Sequence, residues 1–100
     1  MPGFVCILKI EIHLPHNDSL KGKRGELRPL KAALARRFGA AVAETDHHDL
    51  WQRATLSAAV VGREAGEVAD TSAAIERFVH AHFPDGASVE RRLRSEEEIL

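Results

Sequence analysis

The sequence of 100 residues contains one cysteine, one tryptophan and no tyrosine. The single thiol, Cys6, excludes an intramolecular disulfide and a zinc site built from several thiolates, and it suits a reducing compartment such as the cytoplasm. Long apolar runs are also missing, because Lys9 and Glu11 interrupt the N-terminal apolar segment before it could serve as a signal or a membrane span. We therefore expect a soluble, cytoplasmic protein without a membrane partner.

An excess of positive charge is absent as well. The net charge of -1 at pH 7 lacks the overall basic balance that is typical of nucleic-acid-binding proteins. The charges are unevenly spread, however, because half of the 14 Lys and Arg residues lie in segment 21–37, beside the single acid Glu26. The chain can therefore offer a local basic surface. Its length suits one domain, 1–100, that buries about 60% of its unfolded surface.

Hydrophobic periodicity predicts six elements. Apolar and polar residues alternate in four strands: Phe4–Leu14, Ala41–Asp46, Arg53–Val61 and Ala87 to about Arg94. Apolar residues recur at helical spacing in segments 20–38 and 64–83, and Gly39 is a suitable residue to end the first helix. Because parallel crossovers are right-handed, this order predicts an α+β, ferredoxin-like βαββαβ domain, with a four-stranded antiparallel sheet and two helices on one face.

The first predicted helix contains two unfavourable features. Ser19 can cap its first turn, but Gly22 stands where a capping box would place Glu or Gln, so the start should be weak. Pro29 removes one backbone donor and presses on the carbonyl of Gly25. We therefore expect a kink or a new helical start at Pro29.

The segment 43–54, AETDHHDLWQRA, contains the only tryptophan and the densest cluster of groups able to bind a proton, a metal or a polar ligand. Together with Ser19, Leu20, Lys21, Lys23 and Arg24, it resembles the signature of the YlxP-like family of small bacterial proteins, also called the domain of unknown function 503 family. The resemblance covers nearly the whole chain. It implies a ferredoxin-like fold and no established activity, and it suggests a link to translation and ribosome maturation, because family genes often lie near genes of those processes.

A basic strip is the first candidate site. At 100° per residue, four cations of the first helix fall within roughly 80° of one another, namely Lys21, Arg24, Arg28 and Lys31. Such a row can follow the phosphates of RNA without reading its sequence. Lys23 is included as a fifth candidate nucleic-acid-binding residue. The alternative is a solvated helix face whose alkyl stems cover the edge of the core.

The connection between the two middle strands is the second candidate site. Asp46, His47, His48 and Asp49 are ligand types suited to zinc, but the alternative is turn chemistry, with Asp46 closing a turn and Asp49 capping a short helical turn opposite Gln52. The family generally carries an amide at position 48, which argues against a shared metal site. We predict that Trp51 packs against the core, and the alternative is that Trp51 and Arg53 face a ligand.

The sequence offers little for base stacking on the open sheet face and few catalytic motifs. The open face of the central strands would carry no aromatic side chain on which bases could stack, since it consists of Lys9, Glu11, His13, Arg53, Thr55 and Ser57. Gly-rich phosphate loops, serine elbows and HExxH spacing are also missing, although Glu44 or Asp46 could form an acid–base pair with His47. We expect no catalytic residue, no metal and no cofactor.

The most favoured function is therefore a noncatalytic cytoplasmic module that binds RNA or a ribosomal particle through its first helix. A second hypothesis is a structural or protein-interaction module that forms a homodimer through a strand edge or the open sheet face. The third is a metal-dependent hydrolase centred on residues 46–49.

Overall fold

A computed structural model describes residues 2–100 of the chain. They form seven elements: β1 (Phe4–His13), α1 (Leu20–Phe38), β2 (Ala41–Asp46), β3 (Arg53–Gly62), α2 (Ala65–His82), β4 (Ala87–Ser95) and α3 (Glu96–Ile99). The strands pair in the order β2-β3-β1-β4, and every neighbouring pair is antiparallel. This is the predicted ferredoxin-like arrangement. Among the helices formed by residues 2–100, none combines the length and apolar character that a bilayer crossing demands.

The core lies between one face of the sheet and the two long helices. Alternate residues of β1 and β3 supply the sheet side, and Ile10 stands opposite Leu56 at the centre with both side chains fully buried. The helical side consists of the predicted apolar stripes, namely Leu27, Leu30 and Leu34 from α1 and Val68, Ile75, Val79 and Phe83 around α2. Each such side chain contributes about 1.5 to 3 kcal/mol when it is fully buried, and both predicted helical phases are confirmed.

The predicted new helical start at Pro29 is wrong, because α1 continues through that residue to Phe38. Pro29 and Gly25 are both exposed, so the carbonyl that loses its helical donor is on the side of the helix that water can reach. The predicted end is correct. Gly39 adopts a left-handed conformation, φ 67°, and its N–H donates to the carbonyl of Leu34.

The C-terminal tail forms a short helix that the sequence interpretation missed. Ser95 and Glu98 make a capping box, a pattern that is visible in the sequence as Ser-x-x-Glu. The Glu96 carboxylate accepts a hydrogen bond from the N–H of Gly3 at 2.8 Å, and the Glu96 N–H donates to the Gly3 carbonyl at 2.9 Å. These bonds attach α3 to the beginning of β1.

Candidate functional site

Lys23 lies inside the protein, and only 1% of the residue is exposed. It continues the apolar stripe of α1, since it precedes Leu27 by four residues. Its ammonium nitrogen donates to three carbonyl oxygens at the β2–β3 connection, those of His47 at 2.7 Å, His48 at 3.1 Å and Arg53 at 3.3 Å. An ammonium group has three hydrogens to donate, so these carbonyls use its full capacity.

Glu44 supplies the compensating negative charge. Its Oε2 atom lies 3.0 Å from the Lys23 nitrogen, and its side chain is 15% exposed. Within residues 2–100 this oxygen has no other polar partner, so its environment depends on the ion pair with Lys23. The prediction that Lys23 binds nucleic acid is therefore wrong. Its position in the Leu27, Leu30, Leu34 stripe is the sequence signal that indicated a buried residue.

A second set of hydrogen bonds joins the β2–β3 loop to the β1–α1 connection. The Asn17 amide nitrogen donates to the carbonyls of Ser19 and Trp51, and the Gln52 amide nitrogen donates to the carbonyls of Pro15 at 3.2 Å and Asn17 at 3.3 Å. Gln52 is therefore a tether between the two connections, which differs from the capping role predicted for it. The two sequence stretches that carry the family resemblance form one contiguous unit in the fold.

The absence of a side chain at Gly22 makes room for Asn17. A Cβ atom at position 22 would lie 2.3 Å from Asn17 Oδ1, far inside van der Waals contact. The N–H of Gly22 donates to Ser19 Oγ at 2.9 Å, so the predicted cap forms without a Glu at this position. The residue that weakens the capping box therefore allows the loop tether to form.

The loop begins with a strained residue. His47 has φ 62°, which is uncommon for a residue with a side chain. Its N–H donates to Asp46 Oδ1 at 2.7 Å, and its carbonyl accepts from the Leu50 N–H at 3.1 Å, which closes a turn. Residues 2–100 contain no group of three His, Cys, Asp or Glu side chains arranged to hold a metal ion. Asp46 and His47 thus take part in a turn, and the cap predicted for Asp49 is not among the hydrogen bonds of residues 2–100.

Trp51 is 53% exposed, and its neighbour Leu50 is 46% exposed. The prediction that Trp51 packs against the core is wrong. Lys23 and Asn17 hold the loop by its carbonyl groups, and the Gln52 side chain ties it to the β1–α1 connection. The ring lines an open depression of about 520 Å³, together with His13, Asp49, Leu50, Gln52 and Arg53. His13 and Arg53 are the last opposed pair of β1 and β3, so the depression lies at the end of the sheet.

The basic strip is on the surface of α1, as predicted for Lys21, Arg24, Arg28 and Lys31. The first three residues are exposed and Lys31 is half-buried. No carboxylate oxygen of residues 2–100 lies within 4.0 Å of any of their charged nitrogens. Arg24, Arg28, Lys31 and Arg36 also line a groove of about 460 Å³, where the carboxylate of Glu44 is already paired with Lys23.

The open face of the sheet is divided into two parts. At the end nearer the β2–β3 loop, Thr55 Oγ1 donates to Glu11 Oε2 at 2.8 Å, and Lys9 lies 3.7 Å from Glu11. At the other end Ile7 and Val61 are 51% and 74% exposed, and on β4 Arg92 and Arg94 lie opposite Ile7 and Val5 on the same face. The predicted lack of aromatic side chains on this face is confirmed, since Trp51 belongs to the loop beyond it.

The strand order, the antiparallel pairing and the placement of both long helices on one face define a ferredoxin-like domain. Residues 5–92 match the sequence profile of the family described as "Protein of unknown function (DUF503)". The chain therefore belongs to the DUF503 family. No curated protein matches the chain.

Solved structures support the fold. The chain resembles the de novo designed protein Foldit4, with a TM-score of 0.65 and 10% sequence identity, over 94% of this chain and 98% of that one. It also resembles a protein proposed to be an aminohydrolase from methicillin resistant Staphylococcus aureus, with a TM-score of 0.52 and 11% identity, over 93% of this chain and 29% of that one. At these identities the likeness concerns the fold alone.

Proposed function

We propose that this DUF503 protein is a noncatalytic, cytoplasmic module that binds single-stranded RNA, free or in a ribosomal particle, through the phosphate backbone. The observation that carries the proposal is the basic strip of α1, Lys21, Arg24, Arg28 and Lys31. Its four cations share one helix face, and none forms an ion pair within residues 2–100. Uncompensated cations in a row attract a polyanion and give affinity without sequence selectivity.

The geometry suits a flexible strand. Ten residues separate Lys21 from Lys31, so the strip is about 15 Å long at the helical rise of about 1.5 Å per residue. The groove along Arg24, Arg28 and Lys31 has an apolar floor that includes Leu27 and gives a strand a defined path beside α1. If all four cations meet phosphates, the slope of log affinity against log salt should be about -3, because each contact contributes about 0.7.

Charge reversal tests the proposal. We expect Arg24→Glu/Arg28→Glu to abolish binding of a fluorescently labelled single-stranded RNA, measured by anisotropy. Its circular dichroism spectrum and melting temperature should change little, because both side chains are exposed. The matched control, Arg63→Glu/Arg77→Glu, changes the net charge equally at two other exposed arginines and should keep most of the affinity. Equal losses in the two double variants would show that only the net charge matters and would refute a specific strip.

A second candidate function is self-association through the open sheet face. The specific observation is an exposed apolar patch on the two central strands, Val5 and Ile7 of β1 opposite Val61 and Ala59 of β3, with Arg92 and Arg94 at its β4 border. A second copy could cover this patch face to face, as packed sheets do at about 10 Å separation. We expect Ile7→Lys/Val61→Lys to shift a dimer to monomer in sedimentation equilibrium. A wild-type protein that remains monomeric at high concentration would refute this candidate.

A further inference from the structure

The β2–β3 loop presents an exposed aromatic ring on a fixed backbone. The Trp51 carbonyl accepts from Asn17, the Gln52 carbonyl accepts from the Leu14 N–H at 2.8 Å, and Lys23 holds the carbonyls on the other side of the loop. An exposed indole forgoes the favourable free energy of burying apolar area. A rigid backbone that keeps such a ring in water provides a preorganised contact surface, since little ordering is needed when a ligand binds.

The groups around the ring indicate the chemistry of the ligand. Arg53 and His13 line the same depression, and no carboxylate oxygen of the described part of the chain lies within 4.0 Å of the Arg53 guanidinium. Asp49 is the single acid among the lining residues. A flat aromatic surface beside an unpaired guanidinium suits a ligand with both a π-face and a negative charge. A nucleotide unit has this combination.

The backbone of Trp51 is linked to the beginning of α1, the helix that carries the basic strip. The Asn17 amide nitrogen bonds both the Trp51 carbonyl and the carbonyl of Ser19, which is the N-cap residue of α1. Lys21 is the second residue of that helix and Arg24 the fifth. The β2–β3 loop is therefore a neighbour of the N-terminal end of α1, where the basic strip begins.

We infer that Trp51 is a base-stacking subsite, on which one unpaired base of the RNA lies beside the guanidinium of Arg53. This inference rests on the proposed function and deepens it, because it selects single-stranded over double-stranded RNA. Replacing a stacking aromatic residue by alanine costs about 1 to 3 kcal/mol per base. At about 1.4 kcal/mol per tenfold, this loss lowers affinity by about 5- to 140-fold. Unlike the phosphate contacts, stacking adds nothing to the salt dependence.

Intrinsic fluorescence reports on this subsite alone, because Trp51 is the only tryptophan and the chain has no tyrosine. We expect a short single-stranded oligouridine to quench the emission of Trp51, and the corresponding RNA duplex to leave it unchanged. Trp51→Ala should bind the labelled oligouridine about 5- to 140-fold more weakly with the wild-type salt slope. Trp51→Phe should recover part of that affinity, and Ile99→Ala, which removes an exposed apolar group of α3, should bind like wild type.

The outcomes separate this inference from the function on which it rests. A wild-type slope near -3 combined with unchanged affinity in Trp51→Ala would overturn the stacking subsite and leave the phosphate-binding strip. A slope near zero in the wild type would overturn the strip itself, and the subsite with it. A loss of affinity in Trp51→Ala that comes with a lower melting temperature, and that Trp51→Phe does not restore, would show a structural role for the ring and overturn the inference.

Discussion

Replacing Lys23 by methionine removes the buried ammonium group and keeps most of the side-chain volume. Three carbonyls, those of His47, His48 and Arg53, then lose their donor, and the largely buried carboxylate of Glu44 loses its countercharge. Removing one partner of a buried pair destabilises a protein by about 3 to 5 kcal/mol. A small domain has a free energy of unfolding of about 5 to 15 kcal/mol, so Lys23→Met should lose a large share of the stability.

Urea denaturation followed by circular dichroism measures this loss, because the exposed Trp51 is a poor reporter of unfolding. The double variant Lys23→Met/Glu44→Gln should recover part of the stability, since it no longer leaves an unpaired carboxylate in the core. Lys21→Met is the matched control on the exposed face, and its change should stay within about 0.5 kcal/mol. A loss in Lys23→Met no larger than that of Lys21→Met would refute the structural role of the buried ammonium.

Two further predictions concern the stability of the fold. Gly22→Ala should lower the free energy of unfolding by about 1 to 2 kcal/mol, because its Cβ displaces the Asn17 amide from its bonds. Gly25 is a helical residue with open space around it, so Gly25→Ala should instead raise the free energy of unfolding by about 0.5 to 1 kcal/mol. Equal effects of the two substitutions would contradict the packing argument. Trp51→Ala should leave the melting temperature nearly unchanged, because Trp51 is about half exposed. In a domain of this size, 1 kcal/mol shifts the melting temperature by about 4 to 8 °C. A drop of more than about 10 °C would therefore show that the ring packs against the protein.

The fold could be predicted from the sequence because local patterns and core burial agree. The alternation in β1 and the Leu27, Leu30, Leu34 stripe identify the surfaces that meet in the core. Pro29 misled the interpretation, since a proline on an exposed helix face removes a bond whose acceptor water can satisfy. Helix α3 was missed because four residues are too few to show an apolar period, and its capping box is the one signal in the sequence.

The candidate site could be predicted only in part. The four exposed cations follow from helical geometry, whereas Lys23 was assigned to the surface by its charge although its position belongs to the buried stripe. Trp51 was assigned to the core by its size. Both assignments failed for the same reason. The carbonyl groups of the β2–β3 loop need hydrogen-bond donors, and Lys23 and Asn17 supply them from inside the fold. The loop is therefore held in place without burial of the Trp51 ring. These contacts join segments about 25 to 35 residues apart, which no local pattern shows.

The salt dependence of RNA binding tests the central claim most directly. Wild-type protein and the neutral variant Arg24→Gln/Arg28→Gln should be titrated with the same single-stranded oligonucleotide over a range of salt concentrations. The account predicts a slope of log affinity against log salt of about -3 for wild type and about -1.4 for the variant, with Arg63→Gln/Arg77→Gln retaining the wild-type slope. Equal slopes for wild type and Arg24→Gln/Arg28→Gln would contradict it, because phosphates would then bind elsewhere than on α1.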